Sequence, residues 1–245
     1  MIPKVIHYCW VGGTPLPAKQ RECLASWRRV MPEAEIREWN ESNYDFRQNA
    51  YMDEAYRAKR WGFVPDYARL DIVYRHGGIY LDTDVELLKP LDPLLEAPFC
   101  GFESKSRVAL GLVFAAEAGN ETVRALRDAY DGLHFRLPDG SLNLKPSPQL
   151  QTEQLRACGL HDDDGTVQTV SGFRVYPQEY FAPKTLDGAC RLTPNTYCIH
   201  HYEASWVPLR WKVTRRVRRA LEAVLGPRAT RPMVRLKRLV WPEFV

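Results

Sequence analysis

The sequence lacks the features of a membrane-spanning or disulfide-rich protein. No stretch approaches the roughly 20 consecutive apolar residues that cross a bilayer, and no repeat or low-complexity tract appears. The six cysteines form no Cys-x-x-Cys pair and several lie in apolar runs, which predicts reduced packing residues. The apolar run at 5–11 is too short for a secretory signal, so we expect a cytoplasmic protein.

Charge is unevenly distributed, although the formal net charge is only +4. Residues 207–245 contain eleven Lys or Arg and two Glu, a balance of +9, whereas residues 1–206 carry −5. Apolar residues at helical spacing opposite an arginine cluster predict a basic amphipathic helix over 209–225. This helix either docks on the body or binds an anionic surface on the inner face of the cell membrane. No recognition motif accompanies the charge, so nucleic acid is not an expected partner.

Strand-like and helix-like stretches alternate through the rest of the chain. Strands are predicted over 1–11, 36–39, 78–85, 99–103 and 109–116, and helices over 18–30, 47–60, 64–76 and 120–130. Alternation of this kind is typical of a mostly parallel sheet flanked by helices. We therefore predict an α/β catalytic domain over residues 1–206, followed by a separate basic helical segment over 207–245.

The most informative acidic residues are Asp82 and Asp84. If residues 78–85 form one strand, its period of two places both carboxylates on one face, with Cα atoms roughly 6.5 Å apart. Two such carboxylates can share Mn²⁺ or Mg²⁺ with phosphate oxygens, because these cations favour oxygen ligands. Paired carboxylates also occur in solvated turns, so the spacing alone is a weak signal.

A helix is predicted immediately upstream of this pair. Pro65 suits its first turn and Gly77 supplies a left-handed stop. Asp66 and Arg69 lie three residues apart and therefore share one helix face. They form either an ion pair on a solvated surface or, because the helix passes directly into the acidic strand, two groups that point toward the metal.

Together these residues form the pattern Asp-x-x-Arg followed by Gly-Gly-x-Tyr-x-Asp-x-Asp over 66–84. With this pattern the chain resembles the DXD-containing sugar transferases of glycosyltransferase family 32 and, more distantly, the glucosylating domains of clostridial toxins. Residues 2–13 (IPKVIHYCWVGG), 39–43 (WNESN) and 200–206 (HHYEASW) extend the resemblance, which covers 1–206. It implies a GT-A-like nucleotide-sugar transferase fold, with a Rossmann-like mixed, mostly parallel sheet flanked by helices.

The resemblance also implies roles for the central residues. Asp84 is expected to bind Mn²⁺ or Mg²⁺ directly, and Asp82 to bind the metal and reach ribose or sugar hydroxyls. Tyr80 is expected on the same side of the strand, in contact with substrate. Asp66 and Arg69 are expected against donor-sugar hydroxyls and complete the predicted catalytic set with the two metal-binding carboxylates.

Further substrate contacts are expected near the N-terminus. The indole of Trp10 offers a stacking surface for uracil, and Gly12 allows backbone amides to approach the nucleotide. Asn43 either joins this pocket or caps a turn.

The block at 200–206 supplies the remaining predicted site residues. Ser205 and Trp206 are expected to donate hydrogen bonds to phosphate oxygens. One neighbouring imidazole is expected to complete the metal coordination; His201 is favoured, and His200 is the alternative.

These observations favour a metal-dependent glycosyltransferase that moves a hexosyl unit from a nucleotide sugar, by resemblance a UDP-hexose, to a hydroxyl acceptor. A glycan or glycolipid acceptor in bacterial surface polysaccharide or glycolipid synthesis is expected, with retention of configuration implied by the resemblance alone. The alternatives are a toxin-like protein glycosyltransferase, a nucleotide-sugar hydrolase and a non-catalytic lectin-like module. No role is assigned to residues 143–152.

Overall fold

The structure is a computed structural model that describes residues 1–184 and 189–203. All of them fall in the unit Met1–Glu203. The basic segment over 207–245, its predicted helix and the predicted domain boundary after residue 206 lie outside the described residues. The division into two domains therefore stays a prediction.

Within the described residues the strands form one large sheet and one small one. In chain order they are β1 (Val5–Cys9), β2 (Glu35–Trp39), β3 (Gly78–Tyr80), β4 (Val85–Leu87), β5 (Phe99–Ser104), β6 (Arg107–Val108), β7 (Phe114–Ala116), β8 (Gln168–Val170), β9 (Phe173–Tyr176) and β10 (Cys198–His200). The large sheet has the order β2-β1-β3-β7-β5-β9-β8, with β6 paired to β5, while β4 and β10 form an antiparallel pair.

The large sheet is mixed and mostly parallel. Strands β1, β2, β3, β5 and β9 run in one direction, and β6, β7 and β8 run in the other. Side chains alternate between two hydrophobic cores, since Ile79 packs in one and Tyr80 in the other. Buried helical residues occupy both cores, so helices cover both faces of the sheet and the predicted fold class is confirmed.

The helices are α1 (Ala18–Val30), α2 (Ala50–Arg57), α3 (Pro65–His76), α4 (Glu121–Asp128), α5 (Ser147–Ala157) and α6 (Gln178–Phe181), with a 3₁₀ turn at Asp92–Leu94. The helices predicted over 18–30 and 64–76 are confirmed. The helix predicted over 47–60 begins later, because the Asn49 side chain caps it by accepting from the Met52 N–H at 3.2 Å. The strand predicted over 109–116 shortens to β7, because residues 109–112 form a turn closed by a hydrogen bond from Leu112 N to the Ala109 carbonyl.

His7 on β1 holds the junction between α3 and β3. Its Nδ1 accepts a hydrogen bond from Trp39 Nε1 at 3.1 Å, so the ring proton lies on Nε2, which donates to the Gly77 carbonyl at 2.8 Å. Burial lowers the pKa of His7 to about 4, and the imidazole is therefore neutral in the folded protein. Gly77 adopts φ 65°, in the left-handed region predicted for the helix stop.

Two side chains of helix α1 form hydrogen bonds with the backbone of the short strand β4. Trp27 is fully buried, and its Nε1 donates to the Val85 carbonyl at 2.7 Å. The Ser26 hydroxyl accepts from Leu87 N at 2.9 Å. On its other edge β4 pairs with β10, with His200 opposite Val85, so the pairing brings the histidine block beside the start of β4.

All six cysteines are free, and four of them are buried: Cys9, Cys23, Cys100 and Cys198. The prediction of reduced packing cysteines is confirmed for these four, whereas Cys158 and Cys190 are exposed. Among the described residues, no helix has the length and apolar character that a bilayer span requires.

The neutral, buried His7 predicts a pH-dependent stability. Because its folded-state pKa is lowered, the unfolded state gains a proton first, and stability is lost as the pH falls from about 6.5 toward 4. From about pH 7 to about pH 5, His7→Gln should lose about 2 kcal/mol less free energy of unfolding than the wild type. Urea denaturation at both pH values measures this difference. His161→Gln, which alters an exposed imidazole, is the control; a wild-type slope in His7→Gln would contradict the assignment.

Candidate active site

Asp82 and Asp84 lie in a turn between β3 and β4. A hydrogen bond from Val85 N to the Asp82 carbonyl closes the turn at 3.0 Å, and Asp82 N donates to the Gly111 carbonyl at 3.0 Å. The expectation of one continuous strand over 78–85 is therefore wrong. The chain leaves the large sheet after β3 and joins β10 through β4, and this change of partner requires a turn between the two strands.

Asp84 is held by the C-terminal end of β10 and the residues after it. His200 Nε2 lies 3.0 Å from its Oδ1, Glu203 N donates to its Oδ2 at 2.9 Å, and His201 N donates to its carbonyl oxygen at 3.0 Å. Burial raises the pKa of Asp84, but His200 and the backbone donor outweigh it and lower the value to about 2. Asp84 is consequently ionised at neutral pH.

The imidazole beside the acidic turn belongs to His200 and not to His201, the favoured ligand of the sequence analysis. His201 Nε2 instead lies 2.8 Å from Glu86 Oε2. Neighbouring residues of an extended chain point to opposite sides, so only one of two adjacent histidines can face Asp84. The alternative histidine of the sequence analysis therefore has the better placement.

Arg69 joins the helix α3 residue Asp66 to the turn residue Asp82. Its Nη2 lies 3.2 Å from Asp66 Oδ1 and 3.4 Å from Asp82 Oδ1. Both Asp66 and Arg69 are 4% exposed, so the solvated intrahelical ion pair of the alternative interpretation is wrong. The prediction that both groups point from α3 toward the acidic residues is the arrangement observed.

The burial of this cluster changes its acid–base behaviour. Burial raises the pKa of Asp66 to about 6, although Arg69 and a hydrogen bond from Ser147 lower it. Burial likewise raises the pKa of Asp82, against the lowering effect of Arg69. For Arg69, burial lowers the pKa, but the two carboxylates and Tyr80 more than compensate and raise it. The Arg69 guanidinium therefore remains charged. It is the positive group that Asp66 and Asp82 both contact.

Tyr80 packs against Arg69 on the interior side of the Asp66–Arg69–Asp82 cluster and is only 1% exposed. Its ring centroid is 5.3 Å from the Arg69 guanidinium carbon, within the range of a cation–π interaction. The predicted contact of Tyr80 with substrate stays a prediction. Because Tyr80 is on β3, its side chain enters the core that contains α3 and supports Arg69 from the protein side.

The loop after β1 brings Gly12 against two residues further along the chain. Gly12 N donates to Glu41 Oε1 at 2.7 Å, and a Cβ at this position, where φ is 96°, would lie 2.8 Å from the Trp61 ring. The close approach that Gly12 permits is therefore made to the Trp61 indole of the protein itself. Trp10 is half-buried against the hydrophobic core that contains Ile79, so part of its ring lies at the surface. Its Nε1 donates a hydrogen bond to the Thr14 carbonyl.

A cavity of about 460 Å³ adjoins Trp61. Its lining is aromatic and basic, from Arg47, Tyr56, Arg57, Lys59 and Trp61. Trp61 is not among the residues predicted from the sequence, because a single tryptophan in a loop belongs to no motif or periodic pattern.

Asn43 caps a turn, as the second of its two expected roles requires. Its Oδ1 accepts from Asn40 N at 2.9 Å, and its Nδ2 donates to the Glu38 carbonyl at 2.8 Å. Both ends of the side chain are thus bound within the turn. The predicted contacts from Ser205 and Trp206 lie outside the described residues.

The donor types for a divalent cation are present around the turn. Asp82, Asp84 and His200 supply carboxylate oxygens and an imidazole, which Mn²⁺ accepts as ligands. His200 Nδ1 is buried and has no hydrogen-bond partner among the described residues. Within the described part of the chain, no group of three or more acidic, histidine or cysteine side chains forms a preassembled metal site. The residue types fit a cation, although Asp82 and Asp84 currently bond to protein groups.

Three residues near the Asp66–Arg69–Asp82 cluster were not predicted from the sequence: Tyr130, Ser147 and Gln151. They come from α4's C-terminal side and from α5, far along the chain from residues 66–84. Ser147 and Gln151 are four residues apart after Pro146, a helix-face spacing that could have indicated a polar pair. Nothing local in the sequence indicates that this face meets Asp66.

The buried Arg69 predicts a large effect of removing its charge. Arg69→Met leaves Asp66 and Asp82 without their countercharge, and we expect a loss of about 3–5 kcal/mol in the free energy of unfolding. Urea denaturation measures it. The matched control is Arg57→Met, which removes an exposed ion pair with Asp53 on α2 and should cost less than about 1 kcal/mol. Equal, small losses in both variants would contradict the buried placement.

Comparisons with known proteins bear on this site. Residues 17–99 match the family model of the glycosyltransferase sugar-binding region containing the DXD motif. The chain is 30% identical over 105 residues to inositol phosphoceramide mannosyltransferase 1 of Schizosaccharomyces pombe, over 38% of this chain and 31% of the relative. Mannosyltransferase 3 of the same type and organism is 33% identical over 40% of this chain and 28% of the relative.

A third relative is matched over more of the chain. Subversion of eukaryotic traffic protein A of Legionella pneumophila is 22% identical over 260 residues, 84% of this chain and 39% of the relative. The chain thus spans less than two fifths of the length of each of these curated relatives. Among solved structures, PaToxG glycosyltransferase is similar with a TM-score of 0.47 and 14% identity, over 64% of this chain and 69% of that chain. The family model and the mannosyltransferase matches confirm the predicted resemblance to DXD-containing glycosyltransferases.

Proposed function

We propose that this chain is the catalytic part of a metal-dependent glycosyltransferase that moves a hexosyl group from a nucleotide sugar to a hydroxyl acceptor. The observation that carries the proposal is the buried polar cluster of Asp66, Arg69 and Asp82, which adjoins the Asp84–His200 pair. Charged groups are rarely buried at this density without a function, because removing them from water is costly.

Asp82, Asp84 and His200 are the residues that would hold Mn²⁺ or Mg²⁺. A bound divalent cation stabilises the charge that develops on a departing diphosphate. Asp84 supports this role because its pKa of about 2 leaves it fully ionised at neutral pH. His200 is proposed as the nitrogen ligand because it lies against Asp84, whereas His201 is occupied by Glu86.

Asp66 and Arg69 are proposed to bind the hydroxyl groups of the donor sugar. A carboxylate accepts hydrogen bonds from hydroxyls, and a guanidinium donates several in a fixed plane. Arg69 Nε is buried and has no hydrogen-bond partner in the part of the chain that the structure describes, which leaves one donor for a ligand. The Tyr80 ring supports the guanidinium, whose central carbon lies 5.3 Å from the ring centroid.

The nucleotide is proposed to lie along the loop after β1. Trp10 keeps part of its indole exposed and Trp61 lies against Gly12, which supports the proposal that both rings contact a base. Uracil is the proposed base because of the resemblance. Asn43 acts by shaping the turn, and Ser205 and Trp206 are proposed as phosphate contacts.

The acceptor is proposed to be a glycan or glycolipid, in bacterial surface polysaccharide or glycolipid synthesis, with retention of configuration. Two relatives are mannosyltransferases named for inositol phosphoceramide, which supports a lipid-linked acceptor. The match over 84% of the chain to a protein named for subverting eukaryotic traffic favours a second candidate, a toxin-like protein glycosyltransferase. Product analysis with lipid and protein acceptors distinguishes the two, and release of free sugar without any acceptor would indicate a hydrolase.

The first test of the proposal is turnover. A panel of UDP- and GDP-sugars assayed with the purified chain and Mn²⁺ should give turnover that a chelator abolishes. Asp84→Asn preserves the size of the side chain but removes the charge, and we expect turnover to fall at least about a hundredfold. Asp139→Asn, in an exposed loop, is the control and should keep wild-type activity. Near-native turnover by a well-folded Asp84→Asn variant would contradict the metal assignment.

The basic segment over 207–245 is proposed to hold the enzyme on the inner face of the cell membrane. If it does, the chain should co-sediment with anionic vesicles, and binding should weaken with salt because exposed charges are screened over about 8 Å at physiological ionic strength. Replacing Arg215, Arg216, Arg218 and Arg219 with Gln should weaken binding by about 1 kcal/mol per residue. Neutral vesicles are the control. Salt-independent or absent binding by the intact chain would contradict membrane attachment.

A further inference from the structure

Helix α5 presents two polar side chains to the buried cluster. Ser147 and Gln151 lie four residues apart on one helix face and are 8% and 1% exposed. The Ser147 side chain lowers the pKa of Asp66 against the effect of burial. One end of α5 therefore acts on the acidic residue proposed to bind sugar hydroxyls.

The side chain of Gln151 is fixed in one orientation. Its Oε1 accepts a hydrogen bond from Leu110 N at 3.0 Å, and because a backbone N–H can only donate, the opposite Nε2 must be the free end of the amide. The next residue, Gly111, touches the site from the backbone side: a Cβ there would fall within 3.0 Å of both Asp82 and Arg69. Gln151 is thus linked through Leu110 and Gly111 to the acidic turn.

The free end of this amide has no hydrogen-bond partner among residues 1–184 and 189–203. Within the described residues, four buried side-chain nitrogen or oxygen atoms lack a hydrogen bond: Arg69 Nε, Tyr130 Oη, Gln151 Nε2 and His200 Nδ1. Tyr130 interacts electrostatically with both Asp66 and Arg69, so it belongs to the same cluster. Buried polar groups are normally hydrogen-bonded, and unpartnered atoms on residues that belong to the Arg69 cluster, or that bond to the segment beside it, indicate a polar ligand.

The chemistry of the free groups specifies the kind of ligand. Gln151 Nε2 and Arg69 Nε are donors, and Tyr130 Oη is a donor and acceptor; the neighbouring Asp66, although paired with Arg69, is an acceptor. Hydroxyl groups both donate and accept, so a ring bearing several hydroxyls satisfies all of these atoms together. A diphosphate would satisfy only the donors and would be repelled by Asp66.

We propose that Gln151 is a specificity-determining residue that donates from Nε2 to one hydroxyl of the donor hexose, with Ser147 positioning Asp66 for a neighbouring hydroxyl. This inference rests on the proposed function. It assigns donor-sugar recognition to α5, in the segment 143–152 to which the sequence analysis gave no role.

The test separates recognition of the sugar from recognition of the nucleotide. Gln151→Met replaces the amide by an apolar chain of similar length, and Gln151→Glu retains the acceptor for Leu110 N while removing the Nε2 donors. Gln149→Met is the matched control, since Gln149 is exposed on the same helix. For each protein, calorimetry in Mn²⁺ measures the Kd of UDP and of the UDP-sugar that supports turnover, and thermal melting checks the fold.

We expect Gln151→Met and Gln151→Glu to bind UDP within about twofold of the wild type but the UDP-sugar about tenfold more weakly, the effect of one lost hydrogen bond. In the wild type, one deoxy analogue of the sugar should show the same tenfold loss, and Gln151→Met should bind that analogue as well as the parent sugar. Gln149→Met should match the wild type throughout.

Other outcomes overturn the inference in distinguishable ways. Unchanged UDP-sugar affinity in both Gln151 variants would show that Gln151 does not contact the sugar. Equal losses for UDP and UDP-sugar in variants with lowered melting temperature would make Gln151 a structural residue only. If the wild type binds neither UDP nor any nucleotide sugar, the proposed function itself is wrong.

Discussion

The structure of this site depends on the burial of one guanidinium. Arg69 lies between Asp66 on α3 and Asp82 in the turn after β3, with the ring of Tyr80 beneath it. A buried charge is tolerated only while its countercharges stay within reach, because the desolvation cost is otherwise uncompensated. Helix, strand and turn must therefore keep their relative positions, and the same requirement holds the proposed sugar-binding groups in place before any ligand arrives.

The rest of the fold positions this cluster from several sides. His7 bonds to the Gly77 carbonyl and fixes the point where α3 ends and β3 begins. Trp27 bonds to the Val85 carbonyl and fixes the start of β4, directly after the acidic turn. The pairing of β4 with β10 then places His200 against Asp84. Trp27 and His200, far apart in the sequence, thus both bind residues of the turn over 82–85.

Local patterns were sufficient to predict much of this arrangement. The strand and helix alternation predicted the layered α/β fold, and the capping residues predicted both ends of α3. The pattern over 66–84 predicted that Asp66 and Arg69 point toward the acidic pair. In each case the determining interactions lie within one element or between neighbouring elements, where sequence spacing and spatial distance are directly related.

The failures of prediction share a different physical origin. The strand over 78–85 breaks because β4 pairs with a distant strand, and the choice of His200 over His201 follows from the register of that pairing. Strand alternation predicted the side of the strand on which Tyr80 lies. It did not show that this side is buried in the hydrophobic core, where Tyr80 is only 1% exposed. Ser147 and Gln151 reach the site only through tertiary packing of α5, which no local pattern encodes.

The central claim is that the turn at Asp82–Asp84 and His200 form a cation site adjoining the Arg69 cluster. A crystal structure of the chain grown with Mn²⁺ and UDP, with diffraction data collected at the manganese absorption edge, tests it most directly. We expect an anomalous peak within coordination distance of Asp84 and His200, with a diphosphate on the same ion. A manganese peak elsewhere, or UDP bound away from this turn, would contradict it.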